Sequence, residues 1–261
     1  MNFISLLLTL VVGLFILGGS ICALSFKNNK KVTDFIISLA FGVIISLSIF
    51  EILPESIEIL KEQIGIVRGI LAIIVLVLIG IFLLKVLDMF IPHHEHEAHH
   101  HHIHKNSVCH DEHLHHLGIM SSIAVIIHNL IEGMSLYLVT SKNMVSGLFL
   151  CIGIGLHNIP MGLVISTTLI NSHYSKKSSL KISLIVSIST FVGGIFMALL
   201  GGVSELLEGI LLGLTLGMLV YLSLFELLHQ IYHMENKKQS RFGIAIGVIL
   251  IIVSVLLEKM I

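Results

Sequence analysis

Eight stretches of this chain are almost unbroken in apolar residues, with short polar connections between them. They run roughly over 3–26, 35–54, 66–90, 118–140, 144–170, 180–201, 206–228 and 242–258. A helix needs about 20 apolar residues to cross the hydrocarbon core of a bilayer, and each stretch comes close to that length or exceeds it. Segments of about ten residues alternating apolar and polar, the mark of a membrane β-barrel, are missing. A backbone immersed in lipid then has to satisfy its own hydrogen bonds, and the helix does so segment by segment. The expected fold is all-α and polytopic, a single transmembrane domain over residues 1–261 with eight spanning helices. The first stretch reads as a retained span and not a signal peptide. It has no basic residue before Lys27, its apolar run is too long, and no small-x-small cleavage site ends it.

Breaks in the pattern carry information too. Pro54 and Pro92 are expected at helix ends, whereas Pro160 falls deep inside the fifth span. The glycines at 209, 213 and 217, and at 243 and 247, have the small-xxx-small spacing of close helix packing. Residues Leu47-Ser48-Ile49-Phe50-Glu51-Ile52-Leu53 of the second span echo Leu222-Ser223-Leu224-Phe225-Glu226-Leu227-Leu228 of the seventh. Those two spans run in opposite directions, so the echo predicts an inverted repeat of spans 1–3 and 6–8 around a central pair, spans 4 and 5. Inverted repeats are the architecture of alternating access.

Basic residues give an orientation. The 27–34, 91–117, 171–179 and 229–241 connections, with the adjoining helix ends, carry eleven Lys and Arg, and the opposite side carries four. The positive-inside rule puts the first side in the cytoplasm, with both termini outside.

Composition agrees and excludes alternatives. Apolar residues make up 55% of the 261 and charged residues 12%, against about 25% charged in a soluble domain. Mean hydropathy is +1.01. A net charge of −1 offers no basic face for nucleic acid, and three scattered cysteines imply no disulfide framework. Nothing in the chain calls for an organic cofactor. The anomaly is histidine, with 17 residues in all.

Five of the polar residues at mid-span form a pattern with Met161. The fourth span contains His128-Asn129-Leu130-Ile131-Glu132-Gly133, and the fifth His157-Asn158-Ile159-Pro160-Met161-Gly162. Each motif begins ten to thirteen residues into its span, near the bilayer midplane. Residues four apart share a helix face, which stacks His128 beside Glu132 and His157 beside Met161. A carboxylate at that depth costs about 2.5–3.5 kcal/mol on insertion scales unless something compensates, and a divalent cation does so directly. Two imidazoles and a carboxylate suit zinc, leaving a fourth position to water, Met161 or an asparagine. Pro160 frees the carbonyl of Leu156 beside His157. The bland alternative is polar residues satisfying one another across a helix interface.

These paired motifs resemble those of the ZIP (Zrt/Irt-like) metal transporters, bacterial members in particular, whose fourth and fifth helices carry His-Asn-x-x-Glu-Gly and His-Asn-Ile-Pro-Glu-Gly. The resemblance extends to eight helices, external termini, a His-rich loop between spans 3 and 4, and the Leu53-Pro54-Glu55 ending of span 2. It implies a single transporter domain in a bacterial cell membrane that moves Zn²⁺, or Fe²⁺, Mn²⁺ or Cd²⁺, toward the cytoplasm. His128, Glu132 and His157 would be primary ligands, with Asn129 and Asn158 contributing to a second metal site. The departure is Met161, where bacterial members carry a metal-bridging Glu. Span 6 offers only Ser187, Ser189 and Thr190 at that depth, so the second site lacks a carboxylate. The expected partners are the divalent ion and the lipid bilayer, and the chain is compatible with a homodimer.

The 91–117 connection holds His93, His94, His96, His99, His100, His101, His102, His104, Cys109, His110, His113, His115 and His116. Such a run builds no core and is expected to be flexible, either an auxiliary metal buffer or a permissive linker. Its His96-Glu97-Ala98-His99-His100 spells the zinc-protease pattern, a coincidence expected where half the residues are histidine. Two alternatives to transport stay open on the residues alone: an intramembrane metal-dependent enzyme and a non-transporting metal sensor. Glu205 and Glu208 begin the seventh span on the outer side, where acids either attract cations or are simply solvated.

Overall fold

The computed structural model describes residues 2–26, 30–90, 105–171, 174–201 and 204–259, and every extended element among them is helical. Among the described residues, eight helices are long and apolar enough to cross a membrane. They are α1 (Phe3–Ala23), α2 (Lys30–Ile64), α3 (Ile66–Phe90), α4 (Lys105–Lys142), α5 (Met144–Asn171), α6 (Lys176–Leu200), α7 (Glu205–His233) and α8 (Lys237–Lys259). The chain is an integral membrane protein. The apolar windows of α2, α4, α5 and α7 are between 61% and 67% buried, and those of α1, α3, α6 and α8 between 17% and 44%. Four helices thus form the centre and four face outward, the same two positions in each half being central.

The expected ends need two corrections. Pro54 does not end α2, which continues to Ile64. A π-helical turn at Ser48–Ile52 comes just before the proline, and Pro54 then occupies the first turn of the next α-helical segment, where an absent N–H is tolerated. The second correction is at α4, whose backbone is helical from Lys105, so the last part of the expected flexible loop is helix. Extending an existing helix adds one hydrogen bond per residue and avoids the cost of a new nucleus. Pro92 and residues 93–104 lie outside the described residues.

The inverted repeat is visible in backbone detail. α7 has its own π turn at Leu222–Leu227, on the echo of the α2 turn. In α2 the Leu53 N–H donates to the Ser48 carbonyl, and in α7 the Leu228 N–H donates to the Ser223 carbonyl. The bond, its register and both residues recur in the two halves. Proline does not cause the turn, since His229 stands in α7 where Pro54 stands in α2.

Glycine crossings follow the same symmetry. At each of four helix pairs, a Cβ on the glycine would collide with the carbonyl oxygen three residues before the partner's glycine. α1 and α5 cross at Ile16–Gly19 and Ile159–Gly162, and α4 and α6 at Leu130–Gly133 and Thr190–Gly193. α2 and α8 cross at Leu39–Gly42 and Ile244–Gly247, and α3 and α7 at Val77–Gly80 and Leu214–Gly217. The would-be Cβ to oxygen distances lie between 1.9 and 2.4 Å, so only glycine allows these backbones so close. The first two crossings fall directly after Met161 and Glu132, and they hold the two mid-span motifs in place.

Candidate metal site

α4 and α5 pack directly on each other, and the glycine after each motif seats its own helix elsewhere, Gly133 on α6 and Gly162 on α1. His128 and Glu132 share one face of α4, as the four-residue spacing predicts, and α5 adds His157. The Nε2 atom of His157 lies 2.6 Å from Oε1 of Glu132 in a well-formed hydrogen bond. Nε2 of His128 approaches the same oxygen at 2.7 Å, but out of line for a hydrogen bond. The two rings are 6.1 Å apart between centroids and tilted by 42°. The residues are 3%, 8% and 0% exposed. Among the described residues, they are the one group of three His, Cys, Asp or Glu whose ligand atoms come within 4.8 Å of one another.

Two imidazoles and a carboxylate around one point match the donor set of a zinc-type ion. Bonds of about 2.0–2.1 Å in tetrahedral geometry put ligand atoms about 3.3–3.4 Å apart. The observed 2.6 and 2.7 Å are shorter than that, and the group has to widen by about 0.7 Å to take an ion. Oε2 of Glu132 and Nδ1 of both histidines have no hydrogen-bond partner. A buried polar atom left so costs about 1–3 kcal/mol, which favours a ligand that recruits it.

The remaining motif residues are placed differently. Met161 is fully buried in the core of α5. Asn129 turns to α6, donating from Nδ2 to the Val186 carbonyl at 3.1 Å, and its Oδ1 has no partner. Neither amide atom of Asn158 is hydrogen-bonded, although the residue is fully buried. On α6, Ser187 bonds the Gly13 carbonyl and Ser189 the Val186 carbonyl, while the Thr190 hydroxyl is unpaired. α5 stays helical through Pro160. Of the loop residues, His93, His94, His96, His99, His100, His101, His102 and His104 lie outside the described residues. The backbone of Cys109, His110, His113, His115 and His116 is helical at the start of α4, but their side chains are not described. A further polar contact close to the site was not foreseen. Ser135, one turn beyond Glu132 on α4, donates to Oε1 of Glu208 on α7 at 2.9 Å. Its only trace in the sequence is the three-residue spacing from Glu132.

The eight spans and a buried group with a zinc-type donor set between α4 and α5 define a polytopic membrane protein with a candidate metal site. The family model described as the ZIP zinc transporter matches residues 91–254. The zinc transporter ZupT of Chlorobium chlorochromatii is 29% identical over 256 residues, covering 96% of each chain. That of Chlorobaculum parvum is 28% identical over 256 residues, again 96% of each, and that of Oceanobacillus iheyensis 28% over 264 residues, 97% of each. The chain belongs to the ZIP zinc transporter family. It is a divalent-metal transporter and not an enzyme.

Proposed function

We propose that this protein takes up Zn²⁺ toward the cytoplasm by alternating access, with one ion at a time held by His128, Glu132 and His157. The observation that carries the reading is the convergence of two Nε2 atoms and one carboxylate oxygen within 4.8 Å, all three residues buried. A dehydrated M²⁺ at mid-membrane needs a charge partner, which Glu132 supplies, and neutral donors for its remaining bonds, which the imidazoles supply. Met161 is a weak fourth ligand. Asn129 and Asn158 lend amide oxygens as the ion moves along α4 and α5. Fe²⁺, Mn²⁺ and Cd²⁺ are the competing cargoes, with the thioether favouring the softer Cd²⁺. The inverted repeat supports alternating access, because two structurally equivalent halves can exchange conformations about a central site. The excess of basic residues supports a cytoplasmic placement of the 91–117 connection, where its histidines buffer arriving metal.

The test is uptake by proteoliposomes containing the purified full chain, with the other ions as competitors. Zn²⁺ should accumulate and Cd²⁺ should compete, and Glu132→Ala should abolish accumulation. Zinc that binds without crossing the bilayer would make the protein a sensor and overturn this reading.

A further inference from the structure

The paired π turns divide α2 and α7 each into a longer shaft and a shorter arm. In α2 the arm is Leu53–Ile64, 12 residues, and in α7 it is Leu228–His233, six residues. The two spans are antiparallel, so the arms point to opposite faces of the molecule. Each arm is fastened to the start of the other span. At one face Gln63 of the α2 arm donates to Glu205 in the first turn of α7 at 2.7 Å. At the other face Glu235, just past the α7 arm, pairs with Lys30 at the start of α2 at 3.0 Å. Beside it the Met234 sulfur accepts a hydrogen bond from the Ser38 hydroxyl of α2 at 3.6 Å. The shafts are anchored elsewhere, by glycine crossings that come before the π turns. α2 is seated on α8 at Gly42 and Gly247, and α7 on α3 at Gly217 and Gly80.

A π turn closes over five residues instead of four, and helices bend there more readily than in a continuous α-helical ladder. Ser48 and Ser223 hold equivalent places in the two turns. Both turn their hydroxyls back to a carbonyl of the preceding turn, Ile44 at 2.8 Å and Val220 at 3.1 Å, a bond that itself often bends helices. Ile49 and Phe50 in the α2 turn, and Leu224 and Phe225 in the α7 turn, are exposed, which leaves that side of each turn room to open and close. The α7 turn also packs on α4, the helix that carries His128 and Glu132.

We infer that the two π turns are hinges, the α2 arm swinging to open the metal site to one face and the α7 arm swinging to open it to the other. The Gln63–Glu205 contact holds the first face closed, and the contacts of Glu235 with Lys30 and of Met234 with Ser38 hold the second. A bend of about 20° moves the tip of the α2 arm, about 18 Å long, by about 6 Å, and that of the α7 arm, about 9 Å long, by about 3 Å. The inference rests on the alternating-access reading above and assigns it its moving parts.

Two measurements on the full chain test it, both with Cys22, Cys109 and Cys151 replaced by serine. In the first, Gln63→Cys with Glu205→Cys, or Lys30→Cys with Glu235→Cys, is joined by a short bis-thiosulfonate linker. Either cross-link should stop Zn²⁺ uptake in proteoliposomes, and cleavage by a reductant should restore it. Uptake that continues through a completed cross-link would overturn that fastening as a gate. In the second, spin labels measure each arm against the partner of its own shaft: Glu62→Cys on the α2 arm with Leu256→Cys on α8, and Tyr232→Cys on the α7 arm with Lys85→Cys on α3. The hinges give each pair two distances, about 6 Å apart in the first and about 3 Å in the second, in proportions that Zn²⁺ changes. A single distance unmoved by Zn²⁺ in either pair would overturn that hinge, because the arm would then be rigid with its shaft. Zinc that binds without crossing the bilayer would instead remove the transport reading, and the distances would still decide the hinges.

Discussion

Gly18 and Gly19 are neighbours in α1, yet adding one methyl group to each should have opposite effects. A Cβ at Gly18 meets nothing within 4 Å, whereas a Cβ at Gly19 would stand 2.1 Å from the Ile159 carbonyl oxygen and 3.0 Å from its carbon. To bring that oxygen out to just 3.0 Å, α1 and α5 have to part by about 0.9 Å. Overpacking of this kind typically costs about 1–3 kcal/mol. The same substitution removes backbone freedom from the unfolded chain, worth about 0.4–1 kcal/mol in favour of alanine wherever the backbone accepts it. Gly18→Ala should therefore be neutral or stabilising by up to about 1 kcal/mol, while Gly19→Ala should be a net destabilisation of about 1–2 kcal/mol. The displacement also acts on function. Ile159 is two residues from His157, and a shift of about 1 Å at a reacting geometry can cost about a hundredfold. The measurements are unfolding of both variants in mixed micelles and Zn²⁺ uptake in liposomes. Equal stability for the two alanines, or full uptake by Gly19→Ala, would refute the crossing as the element that holds α5 in register.

Other expectations follow from orientation, from the loop and from the charge at the site. In a cysteine-free background, a cysteine at Ser178 should resist an impermeant thiol reagent applied to intact cells and one at Asn143 should react; reversed labelling would reverse the transport direction. Replacing residues 93–104 by a short Gly/Ser linker, which spares the helix that begins at Lys105, should leave uptake largely intact and lower the metal bound per chain. Complete loss of uptake in a normally inserted variant would move the chemistry into the loop. Elemental analysis of that shortened protein should find one ion per chain, and Met161→Glu should add a second ion or slow release of the first.

The sequence made some of this architecture legible and hid the rest, for physical reasons. The eight spans could be read because lipid leaves apolar runs only one backbone solution, and the pairing of His128 with Glu132 because helix geometry fixes which residues share a face. The extension of α2 past Pro54 could not be read. A proline normally signals an end, and the π turn that accommodates it leaves no mark in one copy of the motif. It shows once the α7 echo is seen to carry the same turn without the proline. That His157 comes within 2.6 Å of Glu132 depends on the register between two helices. That register is a property of how the helices pack on one another, and nothing inside either motif specifies it. The bond between Ser135 and Glu208 was hidden for the same reason, since it joins spans 73 positions apart in the chain.

The repeat also explains why the site should hold a single ion. Gly133 and Gly162 occupy equivalent places in the α4–α6 and α1–α5 crossings, so the residues before them correspond: His128 with His157, Asn129 with Asn158, and Glu132 with Met161. The scaffold is duplicated down to the glycine contacts, but the charge is not. Two M²⁺ ions about 4 Å apart repel by roughly 16 kcal/mol at an effective dielectric constant of about 20, four times the value for unit charges. Paired ions at such spacing are held by ligands that serve both. A symmetric site with a carboxylate in each half could do that. Here one half contributes Glu132 and the other a thioether of no charge, buried at 0% exposure where water cannot make up the difference. The neutral imidazoles, duplicated with the scaffold, can complete the coordination of one ion but cannot neutralise a second. If the proposed site is the transport site, the asymmetry at this last position of the repeated motif limits it to one ion, while the symmetry around it supplies the two equivalent halves that the proposed alternating access requires.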